Sequence, residues 1–179
     1  MCLNYIIEGG KKLNGEVIIS GSKNASLPIL AASILSGKVT RLYNVPSIRD
    51  TEITRKLLKL LGCKVVKRGN KVIVDSRKMI GYEIPKGLMK EMRSSVVFAG
   101  ALISRFKKAK FTYPGGCNVG ARPIDIHLQG FKELGIKVEE IDGYIVCSAD
   151  EIIGSNIELK FPSVGATQNL IMASVFGKR

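Results

Sequence analysis

Residues 113–125 read Tyr-Pro-Gly-Gly-Cys-Asn-Val-Gly-Ala-Arg-Pro-Ile-Asp, and Cys117 stands among three glycines that fall within six positions. Glycine lets such a loop approach a ligand closely, and Arg122 follows the cysteine by five residues. A thiol on a flexible loop near basic groups has a lowered pKa and serves as nucleophile or as acid. Pro123, Ile124 and Asp125 suit a helix start with an acid in its first turn. That accounts for the proline and the aspartate but not for Gly-Gly-Cys. A second group is Ser20-Gly21-Ser22-Lys23-Asn24-Ala25, directly before an apolar helical stretch. Lys23 brings a cation and Asn24 both a donor and an acceptor, which makes a strand-to-helix turn able to hold an anion. The alternative at these positions is that Asn24 caps the helix and Lys23 is solvated. The GxxxxGK[ST] phosphate loop is absent.

Arg93 opens a long apolar stretch, and Ser163-Val164-Gly165 bring small residues to another helix start. Lys23, Arg93 and Ser163 follow one another at intervals of 70 residues. Units packed around a pseudo-symmetry axis would turn these three helix N-termini, with their unpaired N–H groups and positive dipole ends, toward a common centre suited to anions.

The elements that must position these residues repeat. A strand at 16–20, a helix at 24–35, a strand at 39–43, a helix at 50–61 capped by Asp50 and ended by Gly62, and strands at 64–67 and 71–75 give the order β-α-β-α-β-β. The same order returns with a strand at 82–84, one helix over 88–104, a strand at 110–113, a helix at 124–134 stopped by Gly135, and strands at 137–141 and 144–147. Leu61-Gly62-Cys63-Lys64-Val65 aligns with Leu134-Gly135-Ile136-Lys137-Val138. A third unit starts with a strand at 157–161 and a helix at 168–175 and is incomplete, so the chain reads as a fragment or half of something larger.

The 179 residues are 45% apolar and 24% charged, which allows a packed core and excludes a disordered tail or a disulfide miniprotein. Lys and Arg number 28 against 15 Asp and Glu, a formal +13 that predicts an anionic partner without choosing among nucleic acid, an acidic membrane or a phosphorylated metabolite. No apolar run reaches the roughly 20 residues of a membrane span, and no signal peptide is recognised, so a cytoplasmic location is expected. Four cysteines without a CxxC pair and a single histidine, His127, argue against a metal site and a disulfide framework. Cys63 and Cys147 read as small buried hydrophobes.

Three segments together resemble the UDP-N-acetylglucosamine 1-carboxyvinyltransferase family of enolpyruvyl transferases: GEVIISGSKNA from Gly15, PGGCNVGARPIDIHLQG from Pro114, and FPSVGATQN from Phe161. The sister family acting on shikimate 3-phosphate shares the fold but not the cysteine loop. The resemblance implies an α/β fold of the inside-out barrel type, built of βαβαββ units, with the third unit here incomplete. It implies that residues 1–21 pair with a second half and that 22–179 form the first domain. It further implies transfer of the enolpyruvyl group of phosphoenolpyruvate to the 3-hydroxyl of UDP-N-acetylglucosamine with release of phosphate, without a cofactor.

By position, Cys117 corresponds to the family's general acid and to the thiol that fosfomycin alkylates. Lys23 and Asn24 correspond to the phosphoenolpyruvate and sugar end, and Arg93 to a substrate-binding arginine. Arg122, Pro123, Ile124, Asp125 and Ile126 correspond to the stretch cradling the uridine nucleotide, and Ser163, Val164 and Gly165 to backbone donors for its diphosphate. The family's second half carries an aspartate acting on the sugar hydroxyl, so this chain alone is expected to lack turnover, and another chain is a possible partner for the third repeat. Neither nucleic acid nor membrane is expected as a partner. The competing reading is a basic nucleic-acid-binding α/β module in which Cys117 is incidental, but the lysine-rich stretches lack the interleaved aromatics of a single-strand platform.

Overall fold

The computed structural model describes residue 4, residues 6–114 and residues 124–178, with the side chains of Arg93 and Ser94 excepted. Its elements are α1 (Lys23–Ala32), β1 (Val39–Leu42), α2 (Arg49–Leu60), β2 (Lys64–Arg68), β3 (Lys71–Asp75), α3 (Lys86–Glu91), a 3-10 helix (Arg93–Val97), α4 (Phe98–Phe106), β4 (Lys108–Phe111), α5 (Asp125–Glu133), β5 (Lys137–Ile141), β6 (Tyr144–Ser148) and α6 (Val164–Ser174). Two antiparallel sheets have the same strand order, β1-β3-β2 and β4-β6-β5. Their registers correspond, Val39 facing Asp75 and Lys64 facing Asp75 in one, Lys108 facing Ser148 and Lys137 facing Ser148 in the other.

The repeat extends to individual hydrogen bonds. After α2, Cys63 N–H donates to Leu58 C=O (2.9 Å) and Gly62 N–H to Lys59 C=O (3.0 Å). After α5, Ile136 N–H donates to Phe131 C=O (3.0 Å) and Gly135 N–H to Lys132 C=O (3.0 Å). Both are Schellman stops with a positive-φ glycine, Gly62 at 96° and Gly135 at 76°. The Leu-Gly-x-Lys-Val signature is thus a helix stop followed by a strand.

A second recurring device marks the start of a unit. Lys110 N–H donates to Tyr82 C=O (2.9 Å) and its carbonyl accepts from Ile84 N–H (2.8 Å). Lys178 N–H donates to Ile152 C=O (2.9 Å) and its carbonyl accepts from Gly154 N–H (2.7 Å). Both are parallel bridges, so the opening strand of the second and third units is one bridge long rather than a full ladder.

Helix α4 occupies the interior. Residues Phe98–Ser104 of α4 are buried all round, the mark of a central helix. The helix packs on α6, α1 and β4. Arg105 fastens this second unit to the first, donating to the carbonyls of Ile34 (2.5 Å) and Ser76 (2.6 Å). Inner faces of both sheets complete one core, with Val72, Val74, Ile145 and Cys147 almost fully buried. Cys63 and Cys147 are buried free thiols, as the sequence predicts.

Three expectations are corrected. Residues 16–20 form no strand: Val17, Ile18 and Ile19 are each about four-fifths exposed or more, because no strand partner stands beside them among the described residues. Residues 157–161 likewise form no strand; the third unit's opening pairing lies earlier, at Ile153. The single helix over 88–104 is instead α3, a 3-10 turn and α4. Met92 adopts an extended conformation (φ −140°, ψ 101°), and the Ser95 hydroxyl donates to Met92 C=O (2.6 Å), a local bond that competes with helix continuation.

Candidate active site at the helix starts

The equally spaced positions Lys23, Arg93 and Ser163 all stand at helix starts, as first residue of α1, first residue of the 3-10 helix and N-cap of α6. The 3-10 helix touches both α1 and α6, so the three helices pack as one group.

At α1 the cap is Ser22, whose Oγ accepts from Ala25 N–H (3.3 Å). Asn24 therefore does not cap. It lies within the first turn and is exposed. Gly21 is required for contact rather than for a turn, since a Cβ there would sit 1.7 Å from Asn44 O, inside any van der Waals limit. This close approach seats Lys23 beside α2, where its ammonium is ion-paired with Asp50. Asp50 is not the cap of α2 either. Ile48 holds that position, and Thr51 Oγ1 accepts from Ile48 N–H (3.4 Å), leaving the Asp50 carboxylate for Lys23.

At α6, Ser163 Oγ accepts from Ala166 N–H (3.2 Å), which starts the helix four residues before the predicted Gln168. Val164 is 76% exposed and Gly165 is exposed beside it. At α5, Ile124 is the N-cap and is buried, so its side chain serves the core. Asp125 is exposed and Ile126 half-buried. Asp125 and Ile126 line a cleft of about 200 Å³ together with Gln129, Glu133, Glu158 and Lys160. Three carboxylates against one lysine disfavour a phosphate there and suit a neutral hydrogen-bonding heterocycle. Lys160 and Glu158 escaped the sequence reading because they precede the FPSVGATQN motif and belong to none, and Gln129, although inside the cysteine motif, was not singled out because no spacing marks it as facing a cleft. Cys117, Arg122 and Pro123 lie outside the described residues, between Pro114 and Ile124 in the sequence.

Behind these starts lies a polar joint that sequence reasoning also missed. Asn169, fully buried on α6, accepts from Gly100 N–H through Oδ1 (2.6 Å) and donates through Nδ2 to Val96 C=O (3.0 Å). Its Nδ2 also lies 2.9 Å from Nδ1 of His127 on α5. The signal was the polar Asn169 one residue before the apolar run Leu170-Ile171-Met172.

The model of the EPSP synthase (3-phosphoshikimate 1-carboxyvinyltransferase) family matches residues 7–179. The chain belongs to that family. It is 48% identical over 170 residues to UDP-N-acetylglucosamine 1-carboxyvinyltransferase 2 of Caldanaerobacter subterraneus subsp. tengcongensis, covering 95% of this chain and 41% of the relative. It is 46% identical over 169 residues to the UDP-N-acetylglucosamine 1-carboxyvinyltransferase of Desulfatibacillum aliphaticivorans, covering 94% and 41%. The chain thus spans about two-fifths of the length of these relatives. Among solved structures it is similar to the enolpyruvyl transferase NikO from Streptomyces tendae, with TM-score 0.67 and 23% identity over 80% of this chain and 32% of that one. It is also similar to EPSP synthase from Acinetobacter baumannii, with TM-score 0.68 and 14% identity over 92% and 38%. These likenesses fix the fold as that of the enolpyruvyl transferases, the repeated α/β architecture that the sequence resemblance implied.

Proposed function

We propose that this chain forms the acid-bearing part of an enolpyruvyl transferase that moves the enolpyruvyl group of phosphoenolpyruvate onto the 3-hydroxyl of UDP-N-acetylglucosamine. The observation that carries this reading is the cleft at the first turn of α5. Asp125 and Ile126 line it, and the segment containing Cys117 and Arg122 feeds directly into that turn. The uncharged uracil ring suits the carboxylate-lined cleft. The diphosphate suits the free N–H groups at the start of α6, around Val164 and Gly165. Phosphoenolpyruvate suits the basic starts at Lys23 and Arg93. The names of the relatives support the same substrates.

In this mechanism the Cys117 thiol delivers its proton to the methylene carbon of phosphoenolpyruvate while the sugar 3-hydroxyl adds to the neighbouring carbon and passes its own proton to a carboxylate base supplied from outside this chain. The resulting tetrahedral adduct carries a methyl group and the phosphate on one carbon. Return of a methyl proton to the Cys117 thiolate restores the thiol, re-forms the double bond and expels inorganic phosphate. Lys23, Arg93 and Arg122 offset the negative charge of the phosphate and carboxylate during addition.

The test is covalent. Incubation with fosfomycin followed by peptide mapping is expected to find the adduct on Cys117, and prior saturation with UDP-N-acetylglucosamine is expected to change its rate. No adduct at Cys117, or a rate indifferent to the UDP-sugar, would refute the proposal.

A further inference from the structure

We infer that Asn169 is the positioning residue of this site: it fixes His127 as the neutral Nε2–H tautomer and, through that ring, sets the first turns of α5 and α6 against each other. The inference rests on the proposed function only in assigning those turns to the nucleotide.

The tautomer follows from hydrogen-bond polarity. A primary amide has one acceptor oxygen and two N–H donors. Gly100 N–H must be met by the oxygen and Val96 C=O by the nitrogen. A flipped amide would set N–H against N–H and oxygen against oxygen, so the backbone of the second unit fixes the orientation of the Asn169 side chain. One Nδ2 hydrogen is then left, and His127 Nδ1 stands 2.9 Å from it. Only an Nδ1 lone pair can accept it, which puts the ring proton on Nε2. A protonated imidazolium is incompatible with this bond for the same reason.

The ring is also a spacer. A Cβ built on Gly165 would lie 3.6 Å from His127 Cε1, so the imidazole rests against the first turn of α6, next to the exposed Val164. On its own helix, His127 is two residues from Asp125 and one from Ile126, which line the cleft. Asn169 thereby joins four segments at one buried point: the 3-10 helix at Val96, α4 at Gly100, α5 at His127 and α6 itself. None of the four residues touches the cleft, so the effect is on alignment and not on contact.

The experiment uses the whole chain. Long-range ¹H–¹⁵N spectra of the single histidine are expected to show Nε2 protonated and Nδ1 bare, and Asn169→Asp is expected to move the proton to Nδ1. Two replacements of His127 separate alignment from packing. His127→Asn keeps an acceptor near Nδ1 and is expected to preserve the backbone amide shifts at 163–166 and to hold UDP-N-acetylglucosamine affinity within about threefold. His127→Phe fills the space without an acceptor and is expected to shift those amides and weaken binding tenfold or more. An Nδ1–H tautomer in the unaltered chain, or identical amide shifts in the two His127 variants, would overturn the inference. If the unaltered chain ignores UDP-N-acetylglucosamine, the proposed function fails instead, and the tautomer and amide shifts still decide the role of Asn169.

Discussion

The Lys23 ammonium is ion-paired with the carboxylate of Asp50, across the starts of α1 and α2. Both side chains keep contact with solvent, so the pair contributes at most about 1 kcal/mol to folding. Its consequence lies in binding: an anion approaching Lys23 must compete with Asp50. Replacing Asp50 by Asn is expected to leave stability within about 1 kcal/mol and to tighten phosphoenolpyruvate binding several-fold. Titration calorimetry beside urea unfolding measures both. Unchanged affinity would mean that Lys23 takes no part in holding the anion.

Gly100 and Gly87 offer a matched pair of glycines. A Cβ at position 100 would meet Asn169 O at 2.1 Å and Oδ1 at 2.5 Å, while one at position 87 in α3 meets nothing within 4 Å. Gly100→Ala is expected to cost about 2–4 kcal/mol through overpacking and loss of the amide joint. Gly87→Ala is expected to be neutral or to stabilise by about 0.5–1 kcal/mol. Urea midpoints at constant slope report the difference, and equal midpoints would remove the steric account.

Asp75 gives a pH signature. Hydrogen bonds from the Arg77 guanidinium (2.9 and 2.7 Å) and from Arg77 N–H (3.2 Å) lower its carboxyl from the ordinary 3.8 to about 2. With the folded value below the unfolded one, the contribution is complete above pH 4. It is lost as the pH falls from about 4 toward 2. Asp75→Asn is expected to flatten stability against pH in that window and leave the curve above pH 5 parallel to that of the unaltered chain. Chemical denaturation at a series of pH values is the measurement, and an unchanged slope between pH 2 and 4 counts against it.

The two buried cysteines behave oppositely to a catalytic thiol. Burial pushes Cys63 up to about 11 and Cys147 up to about 12, so neither holds appreciable thiolate at neutral pH. Iodoacetamide is expected to spare both in the native chain and to modify them only in denaturant, which mass spectrometry of digested samples resolves. Native labelling of either would contradict their place in the core. Because folding raises these values, stability is expected to fall as the pH rises past the ordinary thiol value of about 9.

Legibility in the sequence followed the range of the governing interaction. Strands β3 and β5 match their predicted limits, and the stops after α2 and α5 were readable, because alternation and a positive-φ glycine are local codes. The opening strands were not. Val17, Ile18 and Ile19 have strand-forming side chains, but a strand needs a neighbour, and the pairing in the later units comes down to single bridges at Lys110 and Lys178. The expected 88–104 helix is broken at Met92, a break that apolar periodicity does not register because the Ser95–Met92 bond sets it. At the site, the helix-start positions of Lys23, Arg93 and Ser163 were visible as a 70-residue interval. The Ser22 cap is a local bond to Ala25, but Ser20, Ser22 and Asn24 all offer a capping side chain there and spacing does not choose among them. The Lys23–Asp50 pair and the Asn169 joint depend on contacts between distant segments, which composition and spacing do not encode.

Positions 100 and 169 are 69 residues apart in the chain yet cannot drift independently. Any side chain added at the first meets the backbone carbonyl of the second as well as its amide, and a smaller residue at the second strands the backbone N–H of the first. Substitutions at the two sites should therefore show strong epistasis, with the double variant less damaged than the sum of the singles. Libraries built to stabilise or retune this chain should keep glycine at 100, since no residue at 169 removes that carbonyl, and vary 169 together with His127 as one block.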